Sequence, residues 1–442
     1  MRIQLSDHFD YGRLTRFVLP SVVMMVFTSI YGVVDGLFVS NYVGKTALTA
    51  INLIMPFVML VGGVGFMLGT GGSALVGKTL GQQEPERANR YFTMMLLITL
   101  ILGGTLTAIG LAVMRPVAVL LGAKGDTLEP CVLYGRITMA FNLAFMLQNV
   151  FQSFFITAEK PKLGLAITVA AGCTNMALDA LFVGVFRWGI AGAAIATGLS
   201  QFVGGVIPLF YFLRPNKSLL RLTRTRLERR PIMQACANGS SEMVSNITSS
   251  VVGMLYNFQL LRYAGEDGVA AYSVLMYVQF IFAAVFIGYS IGCAPVVSYH
   301  YGARNHGELK NLRRKSLVLM GGGGICMGAL ALAMAAPMGR LFVGYDPALL
   351  ALTVRAFRLS ALGFVFAGIN IFSSSFFTAL NNGGASAAIS FLRTFVFKLS
   401  AVILLPLALQ VDGIWLADLT AELMACVVCT VFLIALRKKY QY

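Results

Sequence analysis

Five carboxylates in this sequence fall within long apolar stretches, where an ionised side chain is costly. Such a group must face protein or a water-filled cavity rather than hydrocarbon. A carboxyl group held there can take up a proton near neutral pH or bind a cation, which is the chemistry that ion coupling requires. Residue type alone leaves a second interpretation open, in which each carboxyl is a structural ion-pair or hydrogen-bond partner. The five are Asp35, Asp179, Glu242, Asp418 and Glu422.

Two of these acids have polar neighbours at helical spacing. Tyr31 precedes Asp35 by four residues, and Asn175 precedes Asp179 by four. Residues four apart lie on the same face of a helix, so each carboxyl projects beside a second polar group. Asp35 and Asp179 are therefore the strongest candidates for a proton or cation site.

The C-terminal half carries a buried cation among its acids. Lys398 lies near the middle of an apolar stretch, and a buried lysine needs a carboxylate partner or must lose its proton. Glu242, Asp418 and Glu422 are candidate partners, the last two being spaced i, i+4. We expect an ion pair that responds to protonation. The alternative is that Lys398 extends its side chain to the membrane surface.

The sequence gives little support for redox, metal or nucleophilic catalysis. Seven cysteines are scattered mainly through apolar stretches, and the CxxC pair Cys426 and Cys429 lies inside one of them. Only three histidines are present, and no zinc, haem or nucleophile arrangement can be recognised. We therefore expect no enzyme activity, no metal site and no cofactor.

Composition indicates which elements position these groups. Of the 442 residues, 57% are hydrophobic and 12% charged, against about 25% charged in soluble domains. Mean hydropathy is +0.78. Twelve apolar runs are each near the ~20 residues that cross a bilayer as a helix. An all-α integral membrane fold follows, with spans near 14–38, 50–77, 91–113, 133–157, 163–186, 190–213, 232–261, 269–298, 316–338, 352–380, 386–409 and 413–436.

The basic residues behind the net charge of +16 are distributed unequally between the two sides of the membrane. With the N-terminus assigned to the cytoplasm, 23 of the 34 Lys and Arg residues fall on that side and nine on the other, while Arg393 and Lys398 lie within the eleventh span. The positive-inside rule therefore predicts that both termini of this multi-pass membrane protein are cytoplasmic. A nucleic-acid partner is not expected, because the excess of Lys and Arg lies in the loops on the cytoplasmic side and is explained by membrane orientation.

The two halves of the sequence repeat one plan at an offset of 220–224 residues. Ser153-Phe154-Phe155 recurs as Ser375-Phe376-Phe377, and Gly189-Ile190 as Gly413-Ile414. Six spans per half preserve orientation, so the repeats are parallel, and sites in such folds lie near mid-depth between or within the halves. The predicted division is an N-lobe at 1–213, a basic cytoplasmic linker at 214–231 and a C-lobe at 232–442.

Several short motifs resemble those of one transporter family. They are Pro20, Tyr31, Asp35 and Phe38-Val39-Ser40-Asn41-Tyr42-Val43-Gly44 in and after the first span, Asn175-Met176-Ala177-Leu178-Asp179 in the fifth, and Gly189-Ile190-Ala191-Gly192-Ala193-Ala194-Ile195-Ala196-Thr197 in the sixth. Together they resemble the MATE (multidrug and toxic compound extrusion) family, closest to its MepA-like and DinF-like bacterial branch. The resemblance extends along the whole chain, including the twelve spans and the basic central loop.

This resemblance implies a V-shaped, outward-facing antiporter that exports drugs as H⁺ or Na⁺ moves inward. By motif match, the cation-coupling cluster of the N-lobe would be Asp35, Asn175, Asp179 and Thr197. Pro20 would mark the point at which the first span bends when that cluster changes protonation, since proline removes an intrahelical hydrogen bond.

The same resemblance leaves the C-lobe incomplete. Glu242 resembles an acid of the C-lobe cation site in another branch of the family, but residues 364–380 contain no acidic partner. A complete C-lobe sodium site is therefore not expected. Tyr31, Glu242, Lys398, Asp418 and Glu422 remain candidates for substrate or polar-cluster contacts.

Expected partners are small-molecule drugs or toxic organic cations and the lipid bilayer, with the protein acting as a monomer. A net-acidic cavity lined by Met and aromatic side chains would favour lipophilic cations. One alternative is a flippase for lipid-linked precursors, which would need a strongly cationic central cavity, whereas the mapped embedded charges are mainly acidic. A membrane enzyme or channel would need a catalytic cluster or a pore loop, and neither is recognised.

Overall fold

In the computed structural model, the described residues are 3–216, 218–344 and 346–442, without the side chains at 37, 40, 41, 45 and 48. Arg2, Lys217 and the side chains of Ser40, Asn41 and Lys45, which entered the sequence argument, lie outside this description. All regular structure in the described ranges is helical. The helices are α1 Tyr11–Tyr42, α2 Lys45–Gly81, α3 Pro85–Leu120, α4 Leu128–Ala140, α5 Asn142–Thr157, α6 Pro161–Asp179, α7 Gly189–Leu213, α8 Arg229–Gly302, α9 His306–Val343, α10 Pro347–Ala361, α11 Phe364–Ala379, α12 Gly383–Phe391, α13 Lys398–Leu409, α14 Val411–Ala435 and α15 Arg437–Tyr440.

These helices account for the predicted spans. Within the described ranges, nine helices are long and apolar enough to cross a membrane, and two bent pairs, α4–α5 and α10–α11, are so when each pair is taken as one span. The 74-residue α8 is interrupted by non-helical backbone at Gly265. An unbroken helix of that length would measure about 110 Å, against a hydrocarbon core of about 30 Å, so α8 is two spans. The prediction of an all-α membrane fold is confirmed.

Two spans contain a π-helical segment. Ala180–Val185 follows α6, and Leu392–Phe397 joins α12 to α13. By the repeat these are corresponding spans, the fifth and the eleventh. Single turns of π-helix are rare and are found frequently at functional sites, because the extra residue redirects the side chains around it.

The two halves of the chain are in close backbone contact at the ends of α2 and α8. A Cβ on Gly81 would lie 1.9 Å from the Tyr299 carbonyl oxygen, and one on Gly302 would lie 1.9 Å from that of Lys78. No side chain fits at such a distance, so glycine allows the backbones to approach. A second reciprocal contact lies further along the same helices, with Gly71 against Ala235 and Gly239 against Met67.

Residues 3–10, here called the N-terminal strap, cross this seam. Leu5 and Phe9 are fully buried. The Leu5 N–H donates to Glu159 Oε1 at 2.9 Å, in the α5–α6 connection of the N-terminal half. The Phe9 N–H donates to Glu308 Oε1 at 3.0 Å on α9, and Lys315 Nζ donates to the Phe9 carbonyl at 2.7 Å. The strap therefore ties the two halves together beside the glycine contacts.

Glu308 is the main polar anchor of the strap. Burial by itself raises the pKa of this carboxyl, but hydrogen bonds from the Phe9 N–H, from Asn311 and from His8 outweigh burial and hold the pKa below its ordinary value of 4.5. A carboxylate with a lowered pKa stabilises the folded arrangement above its ordinary pKa and loses that contribution as the pH falls below it. Docking of the strap should therefore be complete at neutral pH and weaken only in acid.

Replacing Glu308 by Ala should loosen the strap at neutral pH. The change removes a carboxylate that accepts several hydrogen bonds, and bonds to charged groups are each worth about 1.5–3 kcal/mol. Amide hydrogen exchange at residues 3–10 should accelerate by on the order of 30-fold or more, with little change in α2. The exposed Glu266→Ala is the matched control. Unchanged protection of the strap in Glu308→Ala would contradict its anchoring role.

Candidate functional site

The four residues predicted to form the N-lobe cluster lie on three neighbouring helices. Asp35 is on α1, Asn175 and Asp179 are on α6, and Thr197 is on α7. Asp179 is fully buried and Asn175 is 1% exposed. Asn175 Nδ2 donates to Thr197 Oγ1 at 3.5 Å, a long bond. The carboxyls of Asp35 and Asp179 lie close enough that a proton on one can be shared with the other in a side-chain hydrogen bond.

Acceptors in this cluster outnumber donors. Both carboxyl oxygens of Asp179, one of Asp35 and the amide oxygen of Asn175 are buried without a hydrogen-bond partner among the described residues. An unsatisfied buried acceptor costs about 1–3 kcal/mol, and more when it is charged. Added protons or a cation would satisfy these oxygens at once, so the arrangement suits reversible binding of either.

Tyr31 and two groups that sequence reasoning did not include, Gln148 and Tyr134, lie close to the cluster. The Tyr31 hydroxyl interacts with Gln148 of α5, and Tyr134 of α4 lies within electrostatic range of both acids. A Cβ on Gly172 would lie 2.7 Å from the Tyr31 ring, so α1 and α6 are in close contact there. Gln148 and Tyr134 belong to helices remote in sequence, and no local spacing could have identified them.

Pro20 lies inside α1, which continues unbroken from Tyr11 to Tyr42. One hydrogen bond of the helix is absent where proline has no N–H, so bending there costs less than elsewhere in α1. The π-helical turn Ala180–Val185 begins directly after Asp179. Helices on both sides of the carboxylate pair thus carry a backbone irregularity.

A cavity of about 480 Å³ lies mainly in the C-terminal half. Most of its polar lining is hydroxyl groups, and its charged lining has both signs. Glu242 and Asp418 are the acids, and Arg393 and Lys398 the bases. The expectation of mainly acidic embedded charge is therefore wrong for this cavity, because Arg393 and Lys398 both face it. The hydroxyl-bearing side chains are Thr70, Ser73, Ser153, Ser245, Ser249, Tyr256, Tyr272, Ser290, Ser374, Ser375, Thr378, Ser390 and Thr394.

Lys398 forms an ion pair inside the protein instead of reaching the membrane surface. Its Nζ lies 2.8 Å from Asp418 Oδ1. The Tyr256 hydroxyl donates to the same oxygen at 3.1 Å, and Gln279 Nε2 donates to Oδ2 at 3.0 Å. Among the three candidate partners, Asp418 is therefore the one that pairs with Lys398.

Glu422 has a different partner, which the sequence argument missed. Arg393 approaches it through two nitrogens, with Nη2 at 2.7 Å from Oε1 and Nε at 3.0 Å from both oxygens. Asn370 Nδ2 donates to Glu422 Oε2 at 2.7 Å. Arg393 was visible as a charge within an apolar span, but its position in the π-helical turn could not be read from periodicity.

Glu242 is the lining acid without an ion pair in the described structure. It lies within electrostatic range of Arg393, but no Lys, Arg or His nitrogen of the described residues comes within the 4.0 Å of a salt bridge. No group of three or more metal-ligating side chains is found in the described ranges. Glu242 therefore differs from Asp418, the other lining acid, which is paired with Lys398.

The MatE family model matches this chain twice, at residues 20–181 and 243–404. Together the matches cover well over half of the sequence. The chain belongs to the MatE family. The second match begins 223 residues after the first, which agrees with the 220–224 offset of the internal repeat.

Relatives and solved structures of similar proteins are distant in sequence but close in fold. This MatE protein is 21% identical to the multidrug export protein MepA of Staphylococcus saprophyticus, over 80% of each chain. A crystal structure of a MATE protein in complex with MaL6 superposes with a TM-score of 0.93, at 20% identity and 98% coverage of both chains. The structure of an outward-facing MATE transporter of the MOP superfamily superposes with a TM-score of 0.92 at 21% identity. The superposition covers 98% of this chain and 97% of the other.

Proposed function

We propose that this MatE protein is a secondary active multidrug efflux antiporter, which exports drug-like organic cations in exchange for inward H⁺ or Na⁺. The observation that carries the proposal is the pair Asp35 and Asp179, of whose four carboxyl oxygens three are buried without a hydrogen-bond donor among the described residues. Two adjacent carboxylates in a low-dielectric environment repel each other unless a proton or cation joins them. The MepA relative, a multidrug export protein by name, supports the choice of substrate class.

Coupling would work through α1. Binding of a proton or cation between Asp35 and Asp179 removes their repulsion and draws α1 toward α6, whereas release favours separation of the two helices. The proline at position 20 gives α1 a point of low bending resistance. A local change of charge would thereby bias a two-state helix, which is the general form of an ion-driven switch.

The C-terminal cavity offers chemistry for an organic cation. Glu242 supplies a carboxylate without an ion pair among the described residues. Tyr256 and Tyr272 are stacked at 5.0 Å and both line the cavity. A positively charged drug can combine attraction to a carboxylate with contact to an aromatic face. The surrounding hydroxyls provide hydrogen bonds without imposing one fixed orientation.

The topology of the proposal follows the basic residues. We place both termini on the cytoplasmic side of the bacterial inner membrane, with an N-lobe at 1–213, a linker at 214–231 and a C-lobe at 232–442. The protein would act as a monomer and without a cofactor, the coupling ion being H⁺ or Na⁺. The positive-inside rule supports this orientation.

A flippase for lipid-linked precursors is the second candidate, favoured by the presence of Arg393 and Lys398 in the cavity. Each of these cations is already paired with a carboxylate, at 2.7 Å and 2.8 Å. Pairing largely neutralises the charge that a polyanionic substrate would need. The drug-export proposal is therefore better supported.

Imposed ion gradients in proteoliposomes would test the proposal directly. Ethidium, a planar organic cation, serves as the probe, and its movement is followed by fluorescence. A pH gradient or a sodium gradient should drive ethidium against its concentration gradient, and collapsing the effective gradient should stop accumulation. The antiport proposal would be overturned if ethidium accumulated without any ion gradient, or if it accumulated under neither the pH gradient nor the sodium gradient. The gradient that does drive accumulation identifies the coupling ion.

A further inference from the structure

The linker between α7 and α8 is held by hydrogen bonds at several of its described residues. Asn216 Nδ2 donates to the carbonyls of Tyr211 and Arg214, at 3.2 Å and 3.1 Å, and so turns the chain after α7. The Ser218 hydroxyl then donates to the Leu220 carbonyl at 2.6 Å. These contacts fix the direction in which the following residues leave the helix.

The same segment is attached to α3. The Arg221 N–H donates to Asn89 Oδ1 at 2.9 Å, and the Thr223 N–H donates to Thr93 Oγ1 at 3.0 Å. Leu220 is fully buried in the hydrophobic cluster that includes α3. Leu220 and Leu222 pack against this cluster, whereas Arg221 between them is exposed. Because side chains alternate along an extended segment, the Arg221 side chain points away from α3.

The linker and the start of α8 carry a high density of exposed positive charge. Glu228 is the only acid between residues 214 and 230. None of the arginines in the linker forms an ion pair within the part of the chain that the structure describes. We call the exposed set the arginine surface, which consists of Arg221, Arg224, Arg226, Arg229 and Arg230.

The arginine surface lies at the depth where a membrane surface is expected. Thr93, its second attachment point, lies about 12 Å along α3 from Pro85, and the uninterrupted apolar run Met94–Ile98 follows directly. Leu219, Leu227 and Met233 are 37%, 48% and 58% exposed. Basic groups interleaved with exposed apolar side chains are typical of segments that lie in the lipid headgroup region.

We infer that the arginine surface is a binding site for anionic phospholipids. Guanidinium groups form paired hydrogen bonds with phosphate oxygens, and the exposed leucines can enter the boundary between headgroups and acyl chains. The attachment to α3 makes this a preformed surface of the N-terminal half, so bound lipid also fixes the linker through which the halves are joined. The inference does not depend on the transported substrate or on the coupling ion.

Lipid retention by the wild-type protein provides the first test. Purified protein in detergent is mixed with phosphatidylglycerol or phosphatidylcholine, and bound lipid is counted by native mass spectrometry. Preferential retention of phosphatidylglycerol that falls with rising salt is expected. Equal retention of both lipids would overturn the inference. Full displacement of the lipid by millimolar inorganic phosphate would also overturn the inference, because the site would then bind free phosphate. Tighter binding of a short RNA than of the lipid would overturn it as well.

A charge-neutralised variant provides the second test. Each basic residue near an anionic surface contributes about a fivefold increase in affinity, so Arg221→Gln, Arg224→Gln and Arg226→Gln together should weaken phosphatidylglycerol binding on the order of 100-fold. The corresponding triple lysine variant should retain most of the binding. Arg136→Gln, Arg187→Gln and Arg340→Gln, three exposed positions outside the linker, form the matched control. Equal losses in the linker and control variants would contradict the assignment.

Discussion

Asp35→Asn is expected to abolish uphill, gradient-driven export while leaving a folded protein. Asparagine retains the size of the side chain but cannot take up a proton or carry a negative charge, so the repulsion between positions 35 and 179 is permanently absent. Accumulation of ethidium driven by the effective ion gradient should fall at least tenfold in everted vesicles. Downhill movement of ethidium can persist, because substrate contacts in the C-terminal cavity are untouched.

Two companion variants make this result specific. Asp179→Asn should give the same loss, because either substitution removes one member of the carboxylate pair. Asp267→Asn, at an exposed acid outside the cluster, should transport normally. Undiminished gradient-driven transport by Asp35→Asn, with wild-type expression, would remove this residue from the coupling role.

The second large effect is expected in stability. Arg393→Met leaves Glu422, which is 5% exposed, without its bidentate partner in the protein interior. Breaking a buried ion pair from one side typically costs about 3–5 kcal/mol, because the remaining charge has lost its compensation. The variant should aggregate at clearly lower temperature than wild type when detergent-solubilised protein is heated and then separated by size exclusion.

The double variant Arg393→Met with Glu422→Leu should recover most of that loss, because a buried pair replaced by apolar side chains is often neutral in stability. The exposed pair Arg355 and Asp412 is the matched control, since an ion pair in solvent is worth about 1 kcal/mol or less. If Arg393→Met is no more harmful than Arg355→Met, the pair with Glu422 does not stabilise the C-terminal half.

The two halves of this MatE protein thus use buried charge differently. In the N-terminal half, no Lys, Arg or His of the described residues forms an ion pair with Asp35 or Asp179. In the C-terminal half, Asp418 and Glu422 are held by Lys398 and Arg393 at 2.8 Å and 2.7 Å. A carboxylate without an ion-pair partner can bind a proton or cation readily, whereas a carboxylate already held in an ion pair binds one less readily. This difference is the reason for assigning coupling to the first half.

The sequence alone was sufficient for properties that depend on local order. Apolar runs of membrane length predict the spans because lipid offers the backbone no other partner. The four-residue spacing from Asn175 to Asp179 predicts a shared helix face, and the offset repeat predicts two related halves. Each of these predictions follows from the helical repeat or from the internal sequence repeat. Side-chain packing between helices alters neither.

Only the tertiary structure decided which charges meet. Sequence offered Lys398 three acids, and packing of α13 on α14 brings it to Asp418 while Arg393 takes Glu422. The contacts of the strap with Glu308, some 300 residues away, were equally invisible. A one-residue change in helical phase turns a side chain by about 100°, and the π-helical turn at Leu392–Phe397 introduces such a change. Ion-pair partners therefore depend on helix phase and packing, which hydrophobic periodicity does not specify.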